Sequence, residues 1–316
     1  FCSLLAHCAM DSFEIQTEVP SVEKQSYHLQ DEVEIFEERI TVNTTHGNIS
    51  VVREGDPTKR CILTVHDVAL NHGNCFESFI HQQDAWEIFK NFHIIHFNCP
   101  GQEESATQLD NDVEITIPKL IDQIDEVLAY FHINLALCIG VGLGATILTH
   151  YGLKHPEMML GLIAIGPLPS YVSWLEWTQT KVLTTGLRLT GMHWMIEDQL
   201  MHRFFSQSVL EGAYDLIETY SRDFNRLPCS NVLKLMYASN SRPKANFRKA
   251  DFDIIVFLGR ESNLCDSGLE YYAELNPARC ELIEFLEGTH LLTVQAPQLL
   301  INPLRLFLQG QGLRYK

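Results

Sequence analysis

Apolar and polar residues follow two periods from Val33 onward. EIFEERITV (34–42) and NISVVRE (48–54) flank the turn-forming Thr45-His46-Gly47, which predicts an antiparallel hairpin. CILTVHD (61–67), FHIIHFNCPG (92–101), LALCI (135–139), LGLIAIGP (160–167), DFDIIVFLG (251–259) and CELIEFLEG (280–288) read as further strands. Helical periods fill the intervals at 75–91, 116–131, 144–155 and 297–309. In 116–131, Leu120, Ile121, Ile124, Val127, Leu128 and Phe131 share one face, and Pro118 stands in the first turn. His155-Pro156 closes the next helix. From Tyr171 to about Ala250 no strand appears, and Trp174, Trp177 and Trp194 fall in amphipathic runs read as packing against the sheet.

Strands alternating with helices at these lengths imply a parallel sheet covered on both faces. The expected architecture is an eight-stranded, mostly parallel sheet with a helical cap between the sixth and seventh strands, the arrangement of an α/β-hydrolase. Residues 33–167 and 251–316 form its core and 168–250 its cap. Residues 1–32 are polar and acidic with little periodicity, and read as a poorly ordered arm.

The sharpest chemical question lies in CIGVGLGATIL (138–148). Gly140, Gly142 and Ala145 satisfy a dinucleotide-binding G-x-G-x-x-G/A, while Gly140 and Gly144 bracket a nucleophile elbow G-x-S-x-G in which Gly142 replaces the serine. The dinucleotide reading wants a carboxylate at the end of the following strand, which instead ends Ile165-Gly166-Pro167. Strand order also places the turn after the fifth strand, where the elbow belongs. With glycine at its centre the turn has no nucleophile, and Cys138 and Thr146 lie inside strand and helix.

The other catalytic positions are mixed. Gly288-Thr289-His290 follows the last strand as a hydrolase histidine turn would. Where the acid is expected stand Glu261 and Ser262, with Asp266 a later substitute. Without a nucleophile, His290 reads as a hydrogen-bonded structural residue. The oxyanion region is altered: Asp67-Val68 follows His66, and the Asp67 carboxylate opposes an oxyanion near Leu143. The competing reading is a hydrolase of weak or unorthodox activity using His290 with Asp67, Glu261 or Asp266. A third is a lipid or small-molecule sensor that uses the degenerate pocket.

Composition narrows the partners. A net charge of −17 opposes a nucleic-acid surface. Nine cysteines without a CxxC pair fit reduced thiols in a cytoplasmic protein. No apolar run is long enough to span a membrane, and a first residue of Phe suggests a trimmed N-terminus. Among fourteen histidines, His93 and His96 face opposite sides of a strand, His66 and His72 bracket a loop, and His150 and His155 diverge on a helix. Neither metal nor cofactor is expected. The one basic run, 242–249, offers Arg242, Lys244, Arg248 and Lys249 as contacts for an acidic partner or an anionic lipid.

ILTVHDVALNHGNCF (62–76), FNCPGQEE (97–104), IGVGLGATIL (139–148) and FLQGQG (307–312) resemble, in this order, segments of the N-myc downstream-regulated family. WLEWTQTKV and RPKANFRK resemble its cap segments. The resemblance implies a hydrolase fold with a helical cap, no hydrolase activity, and a cytoplasmic role in differentiation, stress response, growth control or trafficking through protein or lipid partners. Two positions depart from the family: Gly259-Arg260 where many members have Gly-Asp, and His290 where glycine is common.

Overall fold

Strand and helix alternate along the chain as the apolar pattern requires, and the strands assemble into one sheet. The computed structural model describes residues 23–28 and 34–313. The sheet order is β1-β2-β3-β5-β4-β6-β7-β8-β9. Its strands are β1 (Glu23–His28), β2 (Glu34–Thr44), β3 (Gly47–Gly55), β4 (Cys61–Val65), β5 (His93–Phe97), β6 (Ala136–Val141), β7 (Met159–Ile165), β8 (Ile254–Gly259) and β9 (Cys280–Phe285). The pairings of β1, β2 and β3 are antiparallel, and those from β5 through β9 are parallel. Every residue of β4, β5, β6 and β8 is buried, as strands covered on both faces must be.

The helices are α1 (Ser78–Ile80), α2 (Gln83–Phe89), α3 (Ile117–Tyr130), α4 (Leu143–Lys154), α5 (Trp174–Thr190), α6 (Trp194–Phe204), α7 (Gln207–Gly212), α8 (Tyr214–Arg226), α9 (Cys229–Asn240), α10 (Cys265–Glu274), α11 (Leu292–Gln295) and α12 (Pro297–Gly310). Two groups cover the sheet: α3 packs on α4, while α12 packs on α1, α2 and α11. The Thr116 hydroxyl caps α3 by accepting from the Lys119 N–H, with Pro118 in the first turn. Below that cap Leu120, Ile124, Val127 and Leu128 are fully buried, each contributing about 1.5–3 kcal/mol by leaving water.

Helices α5–α9 form the insertion between β7 and β8, the sixth and seventh strands when β1 is set aside. Polar contacts fasten it to the core. Asn231 of α9 donates to the carbonyls of Gly101 (3.0 Å) and Thr107 (2.8 Å) and accepts from the Leu109 N–H (2.9 Å). The Tyr220 hydroxyl of α8 donates to the Asn74 carbonyl.

The structure differs from the sequence reading in three places. Part of the acidic arm is the edge strand β1; residues 1–22 and 29–33 lie outside the described residues. The helical interval 75–91 breaks at His81-Gln82, where Gln82 turns extended and opens α2. Third, the cap tryptophans face outward: Trp174 is 78%, Trp177 46% and Trp194 68% exposed. No helix among the described residues is long and apolar enough to cross a membrane.

The hairpin register sets Glu37 directly opposite Glu54, and both are buried. Burial, then the charges of Glu54 and Glu77, push the Glu37 carboxyl up from 4.5 to about 7. A group raised in the fold stabilises it fully below its unfolded value, and that contribution is lost as pH rises through about 7. Glu37→Gln keeps the neutral shape at every pH. In chelator-treated buffer it is expected to match the parent's stability near pH ~4 and to exceed it by roughly 1–3 kcal/mol near pH ~8, read by denaturant unfolding.

Candidate functional site

β6 runs into α4 through Gly142, whose φ of +56° and ψ of −120° are open to glycine and strained for other residues. The Gly142 N–H is tied to the Ile165 carbonyl of β7 at 2.9 Å. At Gly144 the helix approaches β4 so closely that a Cβ would lie 2.0 Å from the Val65 carbonyl oxygen. This is the backbone of a nucleophile elbow, without the nucleophile.

A carboxylate stands where that side chain would project. A Cβ on Gly142 would meet Asp67 Cγ at 2.2 Å and its two oxygens at 2.3 and 2.5 Å. Asp67 follows β4 and is completely buried. Its Oδ1 accepts from the Leu143 N–H at 2.8 Å, the donor that an elbow presents to an oxyanion. His290 Nε2, aimed at position 142 as a catalytic base would be, donates instead to Asp67 Oδ2 at 3.0 Å. Arg203 of α6 closes the site from the cap, with Nε 3.3 Å and Nη2 3.1 Å from Oδ2. Burial alone would raise the Asp67 carboxyl; Arg203, His290 and the Leu143 N–H outweigh it and hold it well below the usual carboxylate range. The centre binds an anion, and the chain itself supplies it.

The loop carrying Asp67 is held firmly. His66 Nε2 accepts from the Cys99 N–H at 2.9 Å, which leaves Nδ1–H to donate to the Asp67 carbonyl at 2.7 Å. Burial lowers the His66 value to about 4, so the ring stays neutral. Ala69 adopts φ +60°, and its N–H donates to Gln102 Oε1 at 3.1 Å. Val68 between them is buried.

Among the described residues the acid position has no counterpart. His290 Nδ1, the nitrogen that a triad acid would hold, has no hydrogen-bond partner among them and lies over Gly166. Glu261 and Asp266 are exposed, and Ser262 Oγ accepts from the Leu264 N–H in its own turn. Of the residues named for catalysis, the structure therefore joins Gly142, Leu143, Asp67 and His290, and it leaves Glu261, Ser262 and Asp266 outside. Cys138 is buried in β6, and the Thr146 hydroxyl is engaged with the Leu168 backbone.

Arg203 escaped the sequence reading. Its sole signal is a lone cation inside the apolar run LMHRFF, on a cap helix whose docking cannot be read from local pattern. Arg242 requires correction as a surface contact. Nε donates to the Pro169 carbonyl, Nη1 to Ser239 and Glu176, and Nη2 to Tyr171 and Glu176. Those bonds engage all of its N–H groups, and its side chain is fully buried. Lys244, Arg248 and Lys249 are exposed.

A model of the Ndr family matches residues 39–315. Protein NDL1 of Arabidopsis thaliana is 33% identical over 280 residues, 86% of this chain and 81% of that protein. Protein NDRG2 of Homo sapiens is 29% identical over 281 residues, 86% of this chain and 74% of that protein. Among solved structures, an esterase from Thermogutta terrifontis superposes with a TM-score of 0.73 at 15% identity, over 86% of this chain and 98% of its own. A hydrolase from Pseudomonas aeruginosa gives 0.72 at 15% identity, over 85% and 98%. At that identity the two structures establish the α/β-hydrolase fold and nothing of activity.

Proposed function

The chain belongs to the Ndr family, and from that premise we propose that it is a non-enzymatic α/β-hydrolase homologue acting as an adaptor or signalling protein. The observation that carries the proposal is the Asp67 carboxylate, which takes the Leu143 N–H, His290 Nε2 and the space above Gly142. A tetrahedral oxyanion needs those donors free, and a fixed negative charge in their midst repels it. An acyl-transfer cycle also needs a nucleophile and an oriented base, and among the described residues no acid orients His290 Nδ1. The same geometry opposes a weak hydrolase built on His290, because its one carboxylate partner is locked against the wrong nitrogen.

Function on this reading resides at the surface. Trp174, Leu189 and Tyr214, each 78% exposed, and Trp194, 68% exposed, give the cap apolar side chains suited to a protein partner. Lys244, Arg248 and Lys249 supply cations for an acidic partner or an anionic lipid. The family resemblance assigns such contacts to a cytoplasmic role in differentiation, stress response, growth control or trafficking.

Exposure of the full chain to a broad fluorophosphonate probe and a panel of short and long esters tests the enzymatic part. The expected result is no adduct by intact mass and no turnover above buffer. Labelling or hydrolysis abolished by His290→Ala would overturn it.

A further inference from the structure

Three potential metal ligands converge away from the degenerate centre. Glu37 of β2, Glu54 of β3 and His81, which follows α1, each bring one ligand atom within 4.8 Å of the others. Glu37 and Glu54 are 2% and 3% exposed, and they stand directly opposite in the antiparallel register. Like charges in that relation destabilise a hairpin unless a cation lies between them. The Glu37 carboxylate lines a cleft beside the Glu54–His81 pair, with its ligand atom within 4.8 Å of theirs.

The rest of the cluster is arranged as a support. Glu54 Oε2 meets His81 Nε2 at 2.9 Å. Its other oxygen, Oε1, is held by His96 Nε2 at 3.0 Å, and His96 Nδ1 meets the Thr64 hydroxyl at 2.7 Å. An imidazole that orients a ligating carboxylate, and is itself oriented by a hydroxyl, is the outer support found around metal ligands. Glu77, one helical turn before His81, adds a third carboxylate on the cleft that Glu37 lines. A cleft of about 330 Å³ lined by Glu37, Glu77 and His72 provides the approach.

We propose that Glu37, Glu54 and His81 bind one first-row divalent metal ion, Zn²⁺ foremost, as a structural staple between the β2–β3 hairpin and the helical segment after the Asp67 loop. One imidazole nitrogen and two carboxylate oxygens, completed by water or Glu77, suit Zn²⁺. Calcium would require six or more oxygens. Binding displaces the proton now shared between His81 and Glu54 and places a +2 charge between carboxylates that otherwise repel. Spacing between histidines along the chain points to no metal site; these ligands come from three separate elements. The proposal is independent of whether the hydrolase centre is silent.

The test uses the full chain stripped with EDTA and desalted. Zn²⁺ is titrated calorimetrically at neutral pH, and Co²⁺ is followed by visible absorption. The expected result is one ion per chain, a Zn²⁺-dependent rise in Tm, and weak Co²⁺ d–d bands without thiolate charge transfer. Glu37→Gln and His81→Gln are each expected to weaken binding by more than about 100-fold, and His96→Gln by about 10- to 100-fold. In EDTA Glu37→Gln should melt no lower than the parent, so its loss of binding is not loss of fold. Absence of binding to the parent at millimolar Zn²⁺ would overturn the proposal. So would unchanged affinity in both ligand variants, or a thiolate-type Co²⁺ spectrum, since either places the ion elsewhere.

Discussion

Gly142→Ser is expected to cost the fold at least about 3 kcal/mol and to yield no esterase activity. The backbone at 142 has φ +56°, where a side chain is strained by about 1–3 kcal/mol. Active hydrolases tolerate that strain, so it is the smaller part. The larger part is collision, because the new Cβ falls 2.2–2.5 Å from the Asp67 carboxyl atoms. The carboxylate cannot retreat without leaving the Leu143 N–H, His290 and Arg203. The serine would also meet an occupied oxyanion donor and a histidine without its acid. Urea unfolding and a p-nitrophenyl ester assay on the same preparation check both halves.

Arg203→Met is the second large effect, with an expected loss of about 2–4 kcal/mol at neutral pH. Methionine preserves much of the apolar stem and removes the charge. Asp67 is fully buried while the Arg203 side chain is 23% exposed, so the variant strands an ion that water cannot reach. The loss is expected to depend on pH. In the parent the Asp67 carboxyl is depressed in the fold, so its contribution is present above the unfolded value near ~3.9 and is lost on acidification through the depressed folded value. Without Arg203 the folded value rises and the contribution is lost at higher pH. The deficit against the parent should therefore be largest near neutrality and shrink on acidification toward pH ~4, where Asp67 begins to protonate. Hydrogen exchange should quicken in α6, which loses one of its anchors to the core.

The parts of the fold legible in the sequence are those whose burial is symmetric. β4, β5, β6 and β8 are covered on both faces, so their residues form apolar runs that local reading cannot miss. β1 was illegible because EKQSYH carries no apolar period; its pairing with β2 rests on backbone hydrogen bonds and register. The cap tryptophans show a different limit. Periodicity places Trp174 and Trp194 on helices, yet which face turns inward depends on where the cap docks.

The site divides along the same line. Gly142, Asp67 and His290 each follow a strand of the parallel sheet, so strand order alone brings them to one edge. Arg203 comes from a cap helix, and no spacing along the chain forecasts its contact with Asp67. A basic run normally faces water; this one turns its first guanidinium, that of Arg242, into a bidentate pair with Glu176 and three backbone carbonyls. The Glu37–Glu54 pair follows from hairpin register, which the turn at Thr45-His46 sets and which composition does not reveal.

A carboxylate of the chain, that of Asp67, occupies the place of the catalytic side chain. Equilibrium unfolding of Gly142→Ser, Asp67→Gly and the double variant tests it directly, because Asp67→Gly removes the group that the serine would strike. The double variant is expected to be more stable than the sum of the single effects by at least about 2 kcal/mol. Additivity within about 0.5 kcal/mol would mean that Asp67 does not fill the space above Gly142.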